Sequence, residues 1–245
     1  MKQIKALGQN FLTTTTVPKL MVDLLDTTKE DTIVEIGPGE GAVTKLLAET
    51  PANIIAIELD SRFANLTKQK YPSINVINEN VLDWLPDYSP KTYYKLIGSI
   101  PYYITSPIFH AIVRATHPKI AVILLQKEVG QRICAQQDDT NYLSALIQTF
   151  FTTEYVHTVD RSYFDPVPKV DSAIIKLTSK DIKLDKESIK KYEGFLHKAY
   201  SNPRKMLNKV FNIHELQQYN LEGNKRAQNI SAEEWFNIFN DKLIE

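Results

Sequence analysis

"TIVEIGPGEGAVTKLL", residues 32–47, joins a β-branched run to a helix-period segment through Gly37, Gly39 and Gly41. The apolar run suits a strand buried on both faces, and the segment 41–49 suits a helix. Glycine adopts positive φ without a Cβ penalty and lets a ligand approach the backbone closely. Glu35-x-Gly37-x-Gly39-x-Gly41 therefore predicts a ligand cradle at the carboxyl end of a strand. Gly37, Gly39 and Ala42 also satisfy the pattern G-x-G-x-x-G/A, which leaves the motif open between NAD and S-adenosylmethionine, with a plain tight turn as the third reading.

Outward from this turn, strand-length runs alternate with helical periodicity. "NIIAIELD" (53–60), "INVIN" (74–78), "YKLIGS" (94–99) and "IAVILLQ" (120–126) read as buried strands, and 61–70, 105–117 and 127–137 as the intervening helices. Upstream, Thr16 is a candidate N-cap with Pro18 in the first turn of a helix. The alternation predicts an α/β fold with a mostly parallel sheet. A helix at about 141–152 follows, and then "EYVHTVD" and "SAIIKLT" add strands at an antiparallel edge. From 180 onward β-branched runs give way to Lys- and Glu-bearing helices, with Ser231-x-x-Glu234 forming a capping-box pattern. The expected division is 1–179 for the sheet domain and 180–245 for a small helical domain.

At 245 residues and 43% hydrophobic, the chain has enough apolar content for a substantial core. No stretch has the length of a membrane span, and residues 1–12 lack the features of a signal peptide, so a cytoplasmic location is expected. One cysteine, Cys134, excludes an internal disulfide framework and a cysteine-rich zinc site. The five histidines are scattered without metal-ligand spacing, so no metal is expected. Lys plus Arg equals Asp plus Glu at 29 each, so any polyanion-binding surface must be local. Such a surface is offered by 198–226, where Lys198, Arg204, Lys205, Lys209, Lys225 and Arg226 face only Glu215 and Glu222; the alternative is a solvated helical face.

The remaining strand ends carry chemistry. Glu58 ends the second strand twenty-one positions after Gly37, where a carboxylate can accept both ribose hydroxyl protons. Asn80 ends the third, with an amide able to read an adenine edge; Asp83 could instead cap a turn. The fourth ends in Ser99-Ile100-Pro101-Tyr102. Pro101 stiffens the turn, and Tyr102 offers a face on which a base can stack. The Ser99 hydroxyl and Ile100 carbonyl can accept hydrogen bonds from an exocyclic amine, making its lone pair more available. The competing reading is a pair of core tyrosines after a proline turn.

Seven stretches in order, "GQNFL" (8–12), "VEIGPGEG" (34–41), "IELD" (57–60), "IPYYITSPI" (100–108), "LQKEV" (125–129), "FDPVPKVDSAIIKL" (164–177) and "RAQNIS" (226–231), make the chain resemble the rRNA adenine N6-dimethyltransferases, the group of KsgA and Erm. The resemblance spans nearly the whole chain and implies a Rossmann-like class I methyltransferase sheet that uses S-adenosylmethionine, with an RNA-facing helical domain. It implies that Asn10 and Leu12 close over the cofactor and that Glu35, Gly37, Gly39 and Gly41 cradle it. Glu58 then holds the ribose and Asn80 the adenine, while Tyr102 and Phe164 sandwich a flipped target adenine. Lys127, Arg132, Arg204, Lys205 and Arg226 are the candidate phosphate contacts.

This chain departs from the family pattern at two positions: Ser99 stands where the family has Asn, and Asn80 where it has Asp. "LQKEV", "PVPKVDSAIIKL" and "RAQNIS" favour the KsgA branch, which modifies adjacent adenosines near the 3′ end of 16S rRNA. The short length looks more like Erm, which acts on 23S rRNA and confers macrolide resistance. A non-catalytic RNA-binding assembly factor on the same fold is the further alternative. The expected partner is the small ribosomal subunit, and the chain is read as a monomer.

Overall fold

The computed structural model describes residues 10–136, 139–182 and 184–241; Gly8 and Gln9 of the "GQNFL" stretch lie outside them. The chain forms two compact units, one of residues 1–130 and 154–179, the other of 131–153 and 180–245. The second unit thus takes in the helix expected at about 141–152, and the 179/180 boundary is only one of the places where the chain passes between units.

In chain order the elements are β1 (Phe11–Leu12), α1 (Thr16–Asp23), β2 (Thr32–Ile36), α2 (Thr44–Leu47), β3 (Asn53–Ile57), α3 (Ser61–Lys70), β4 (Asn75–Ile77) and α4 (Val81–Trp84). There follow β5 (Tyr94–Ser99), α5 (Thr105–Arg114), β6 (Ile120–Gln126), α6 (Lys127–Ile133), α7 (Tyr142–Phe150), β7 (Phe151–Val159), β8 (Phe164–Asp165), β9 (Ser172–Ser179), α8 (Lys186–Ala199), α9 (Ile213–Gln218) and α10 (Ala232–Asn240).

A seven-stranded sheet runs in the order β4-β3-β2-β5-β6-β9-β7. From β4 through β6 all pairings are parallel, and β9 is antiparallel to β6. The sheet is the α/β arrangement that the alternating runs predict. Its central strands are buried on both faces: Ile33, Val34, Leu96, Ile97, Val122 and Ile123 have no more than trace exposure. The order steps outward in both directions from β2 and β5. This makes their carboxyl ends the switch point at which open α/β sheets bind ligands.

Local chemistry sets the boundaries. The helix expected over 41–49 shortens to α2, because the glycine turn keeps positive φ through Gly41. The one expected over 105–117 ends at Arg114, where Ala115 turns extended three residues before Pro118. The one expected over 127–137 ends at Ile133. Thr15, not Thr16, occupies the N-cap of α1 and makes no side-chain cap; Thr16 is the first helical residue. Asp60 caps α3, accepting from the Arg62 amide at 3.0 Å. The two-residue ladder of β1 and β8, with Leu12 opposite Phe164 and Phe11 opposite Asp165, is too short to show as a periodicity.

In the second unit, Trp235, Tyr192, Leu196 and Phe195 form an aromatic-rich core. Its polar atoms are satisfied internally. The Tyr192 hydroxyl bonds Thr149 at 2.8 Å, the Tyr200 hydroxyl bonds Thr140 at 2.9 Å, and Trp235 Nε1 donates to Tyr200 at 3.2 Å. The Ser231–Glu234 capping box forms as expected, and α7 and α9 carry further boxes at Asn141–Ser144 and Asn212–Glu215.

Gly98 lies opposite Ile36 on the neighbouring strand, and a Cβ there would meet the Ile36 Cβ at 3.0 Å and its carbonyl oxygen at 3.1 Å. Gly98→Ala is expected to destabilise the fold by about 1–3 kcal/mol, read as a lowered denaturation midpoint with an unchanged slope.

Candidate functional site

The turn after β2 is built on three positive-φ residues, Gly37 at +67°, Gly39 at +53° and Gly41 at +92°. The Gly37 amide donates to the Ile57 carbonyl at 2.9 Å and the Gly39 amide to Glu58 Oε2 at 3.1 Å, so the turn is tied to the end of β3. A Cβ at Gly37 would meet nothing within 4 Å, which leaves an open floor beside the backbone; one at Gly39 would press on the Phe11 ring at 3.0 Å. Gly41, expected in the cofactor set, lies against the Tyr71 ring and outside the cavity lining, where it shapes the turn.

Of the four glutamates that line the cavity, Glu35, Glu40, Glu58 and Glu79, two are buried, Glu35 and Glu58. Glu35 is buried on β2, and its Oε1 accepts the Thr44 hydroxyl at 2.9 Å. Its Oε2 is buried with no hydrogen-bond partner among the described residues. Burial pushes the Glu35 carboxyl up to about 8, opposed by the Thr44 hydrogen bond and reinforced by the nearby Glu58 charge. Glu58 is also raised by burial, against the lowering effect of the Asp60 and Gly39 amides that donate to it. At the end of β4, Asn80 caps α4, its Oδ1 accepting the Leu82 amide at 3.1 Å. Asp83 lies within α4, away from the cavity lining.

The second half of the cavity starts where β5 ends. Ser99 is the last strand residue, and the Ile100 amide donates to the Leu124 carbonyl at 2.9 Å. Pro101 holds φ at −55°, and Tyr102 then opens a short 3-10 turn, half-buried. Phe164 is 4% exposed and is held by its pairing with Leu12. One cavity is lined by Asn10, Leu12, Glu35, Gly37, Gly39, Glu58 and Asn80 at one end. The same cavity is lined by Ser99, Ile100, Pro101, Tyr102 and Phe164 at the other. Residues not singled out in the sequence also line it, among them Val43, Leu59 and Ser172; Tyr103, a core residue in the competing reading, lines it too and is exposed. Ser172 sits inside the "KVDSAIIKL" stretch, but a lone serine at a strand start carries no chemical signal of its own.

The candidate phosphate contacts lie elsewhere; none lines the cavity. Lys127 Nζ is 3.9 Å from Asp171 Oδ2. Arg132 is exposed. In the second unit, Lys198 pairs with Glu215 and Lys225 with Glu222, so both acids of the basic run are occupied. Arg204, Lys205 and Arg226 are exposed and form no ion pair with a described residue; an isolated bridge pairs Met206 with Arg226. Among the described residues, no group of His, Cys, Asp and Glu could hold a metal, and no helix is long and apolar enough to cross a membrane.

The ribosomal RNA adenine dimethylase family model matches residues 1–242. The chain is 37% identical to ribosomal RNA small subunit methyltransferase A of Hydrogenobaculum sp. (strain Y04AAS1), covering 98% of this chain and 93% of that one. It is 36% identical to the protein of the same name from Mycoplasmopsis pulmonis (strain UAB CTIP), over 98% of each. The structure is similar to that of the 23S rRNA methyltransferase ErmE, with a TM-score of 0.72, 25% identity and coverage of 96% of this chain and 100% of that one. A glycine turn, two buried carboxyls and a Ser-Ile-Pro-Tyr edge in one cavity thus accompany a match along nearly the whole sequence, and the chain belongs to the ribosomal RNA adenine dimethylase family.

Proposed function

We propose that this protein transfers methyl groups from S-adenosylmethionine to N6 of adenosine in small-subunit rRNA, twice per base, at the adjacent adenosines near the 3′ end of 16S rRNA. One observation carries the reading: a single cavity joins an acidic, glycine-floored half to an aromatic-walled half with hydrogen-bond acceptors at its edge. The first half suits a nucleoside that bears a cation. Glu35 holds a buried oxygen without a partner among the described residues, Glu58 offers acceptors for ribose hydroxyls, and the floor at Gly37 is open. The small-subunit assignment rests on the 36–37% identity to relatives of that name, against 25% to ErmE.

When bound, S-adenosylmethionine supplies a methyl group on a sulfonium, an electrophile already activated. The chain's own task is then positioning. Glu35 in its carboxylate form would hold the ammonium of the methionine moiety, Glu58 would accept from the ribose, and Asn80 would read the adenine edge. Tyr102 and Phe164 hold the extruded target base between their rings. Ser99 and the Ile100 carbonyl accept the N–H bonds of its amine, keeping the lone pair out of the ring's π-system and toward the methyl. Exposed Arg204, Lys205 and Arg226, with Lys127 and Arg132, supply phosphate contacts for the RNA. The protein acts in the cytoplasm, where its substrate is assembled.

The deciding experiment is transfer of labelled methyl to purified 30S and 50S particles lacking these modifications, with the modified base mapped. Dimethyladenine near the 3′ end of the small-subunit RNA is expected. Label on the large-subunit RNA would assign the Erm activity instead, and RNA binding without label on either would make the protein a non-catalytic assembly factor. In the same assay Ser99→Ala is expected to lower kcat by roughly 100-fold, the lower end of the scale for losing one hydrogen-bonding group at the reacting centre.

Glu35 generates a separate expectation with a definite sign. Its folded pKa, raised from 4.5 to about 8, means that between those values the ligand-free folded chain keeps a proton that the unfolded chain has released. Stability of the ligand-free protein therefore falls as pH rises through this window. Glu35→Gln removes that slope: its melting temperature, measured without cofactor, should gain on the native protein from pH 5 to pH 8. The same substitution should weaken S-adenosylmethionine binding in calorimetry.

A further inference from the structure

The two aromatic walls of the cavity are held in different ways. Phe164 is nearly fully buried and fixed through the β1–β8 ladder. Tyr102 is half-buried on a 3-10 turn, where backbone alone leaves the ring free to turn about its side-chain bonds. Its far end is caught by one hydrogen bond, 2.8 Å between the Tyr102 hydroxyl and Ser172 Oγ. Ser172 is itself completely buried, lines the same cavity, and opens β9 opposite Gln126 of β6. The preceding residue is pinned as well, since the Asp171 carbonyl accepts the Lys127 amide at 3.0 Å. The serine hydroxyl is thus a rigid post, and the tyrosine ring is the mobile part tied to it.

We propose that Ser172 is a positioning residue: its hydroxyl holds the Tyr102 phenol and thereby sets the plane of the ring on which the target adenine stacks. The inference rests on the methyltransfer reading above and adds to it a residue that never touches the reacting atoms. A tilt of the platform moves the stacked base and with it the amine, and methyl transfer depends steeply on that alignment. Removing the bond from either side should have the same effect. Ser172→Ala deletes the post, and Tyr102→Phe keeps the stacking face while deleting the tie. The second change sits at a partly exposed ring and tests the bond even where the buried alanine variant folds poorly.

The test measures native protein, S172A, Y102F and the double variant for turnover on hypomethylated 30S particles and for S-adenosylhomocysteine affinity. Each is also bound to a target RNA with 2-aminopurine replacing the target adenine. Each single variant is expected to lose about tenfold in kcat while cofactor affinity stays within about twofold, and the double variant should be no slower than the worse single one. The 2-aminopurine emission, quenched by stacking in the native complex, should be brighter in all three variants. Multiplying losses in the double variant, or unchanged emission alongside the kinetic loss, would show that Ser172 acts elsewhere and overturn the proposal. If the native protein quenches 2-aminopurine and the variants do so equally, the tether idea is lost while the function stands. A native protein that neither quenches nor transfers methyl loses both.

Discussion

The hydrogen bond from the Gly39 amide to the Glu58 carboxylate, at 3.1 Å, connects the two strand ends on which the site depends. β2 and β3 are already in register along their length. Beyond their last residues, however, the chain must reverse into helices, and backbone pairing between the two continues only in the Gly37 amide to Ile57 carbonyl bond. Glu58 adds to it by accepting from Gly39 with one oxygen and from the Asp60 amide with the other. The glycine turn can present that amide only because Gly37 and Gly39 both accept positive φ. The carboxylate assigned to ribose therefore also shapes the floor, and a substitution at Glu58 would disturb turn and ligand together.

Burying Glu58 and Glu35 in one cavity sets a conflict. Desolvation raises the cost of charging both, and the Glu58 charge raises it further for Glu35. Without a cation the protein relieves the conflict by keeping a proton on Glu35, whose Oε2 has no partner to stabilise a charge. A ligand that brings a positive charge removes the need for that proton. In the proposed complex a cationic ligand would thus be favoured over a neutral one of the same shape.

Much of this was legible in the sequence because it depends on local rules. β5 and β6 coincide with the expected runs, since a strand buried on both faces must be continuously apolar. The ends of these strands were readable as a site because topology brings the carboxyl edges of a parallel sheet together. What escaped were features fixed by distant partners. The β1–β8 ladder is two residues long and exists only through pairing across the chain. Ser172 gains its place in the cavity from the β6–β9 register and its role from Tyr102. The grouping of 131–153 with 180–245 comes from α7 packing against α8 and α10, with the Thr149–Tyr192 and Thr140–Tyr200 bonds inside that packing, and no periodicity encodes it.

The two departures from the family pattern are reconciled by what each position must supply. At Asn80 the local structure needs an acceptor for the Leu82 amide, and the amide oxygen provides it as an aspartate would. What changes is the remaining atom: an aspartate keeps a second acceptor, whereas Asn80 keeps N–H donors. In the proposed complex those N–H groups would be available to a ring nitrogen of the cofactor adenine, which accepts. At position 99 the proposed reaction would need an oxygen acceptor beside the Ile100 carbonyl, and a serine hydroxyl can supply one with a shorter reach. The backbone acceptor is untouched by either change, because the Ile100 amide to Leu124 bond and the fixed φ of Pro101 set its position. In the proposed reaction the electrophile is already activated, so catalysis would rest on alignment, shared among the Ile100 carbonyl, the Ser99 hydroxyl and the two rings, one of them tied to Ser172.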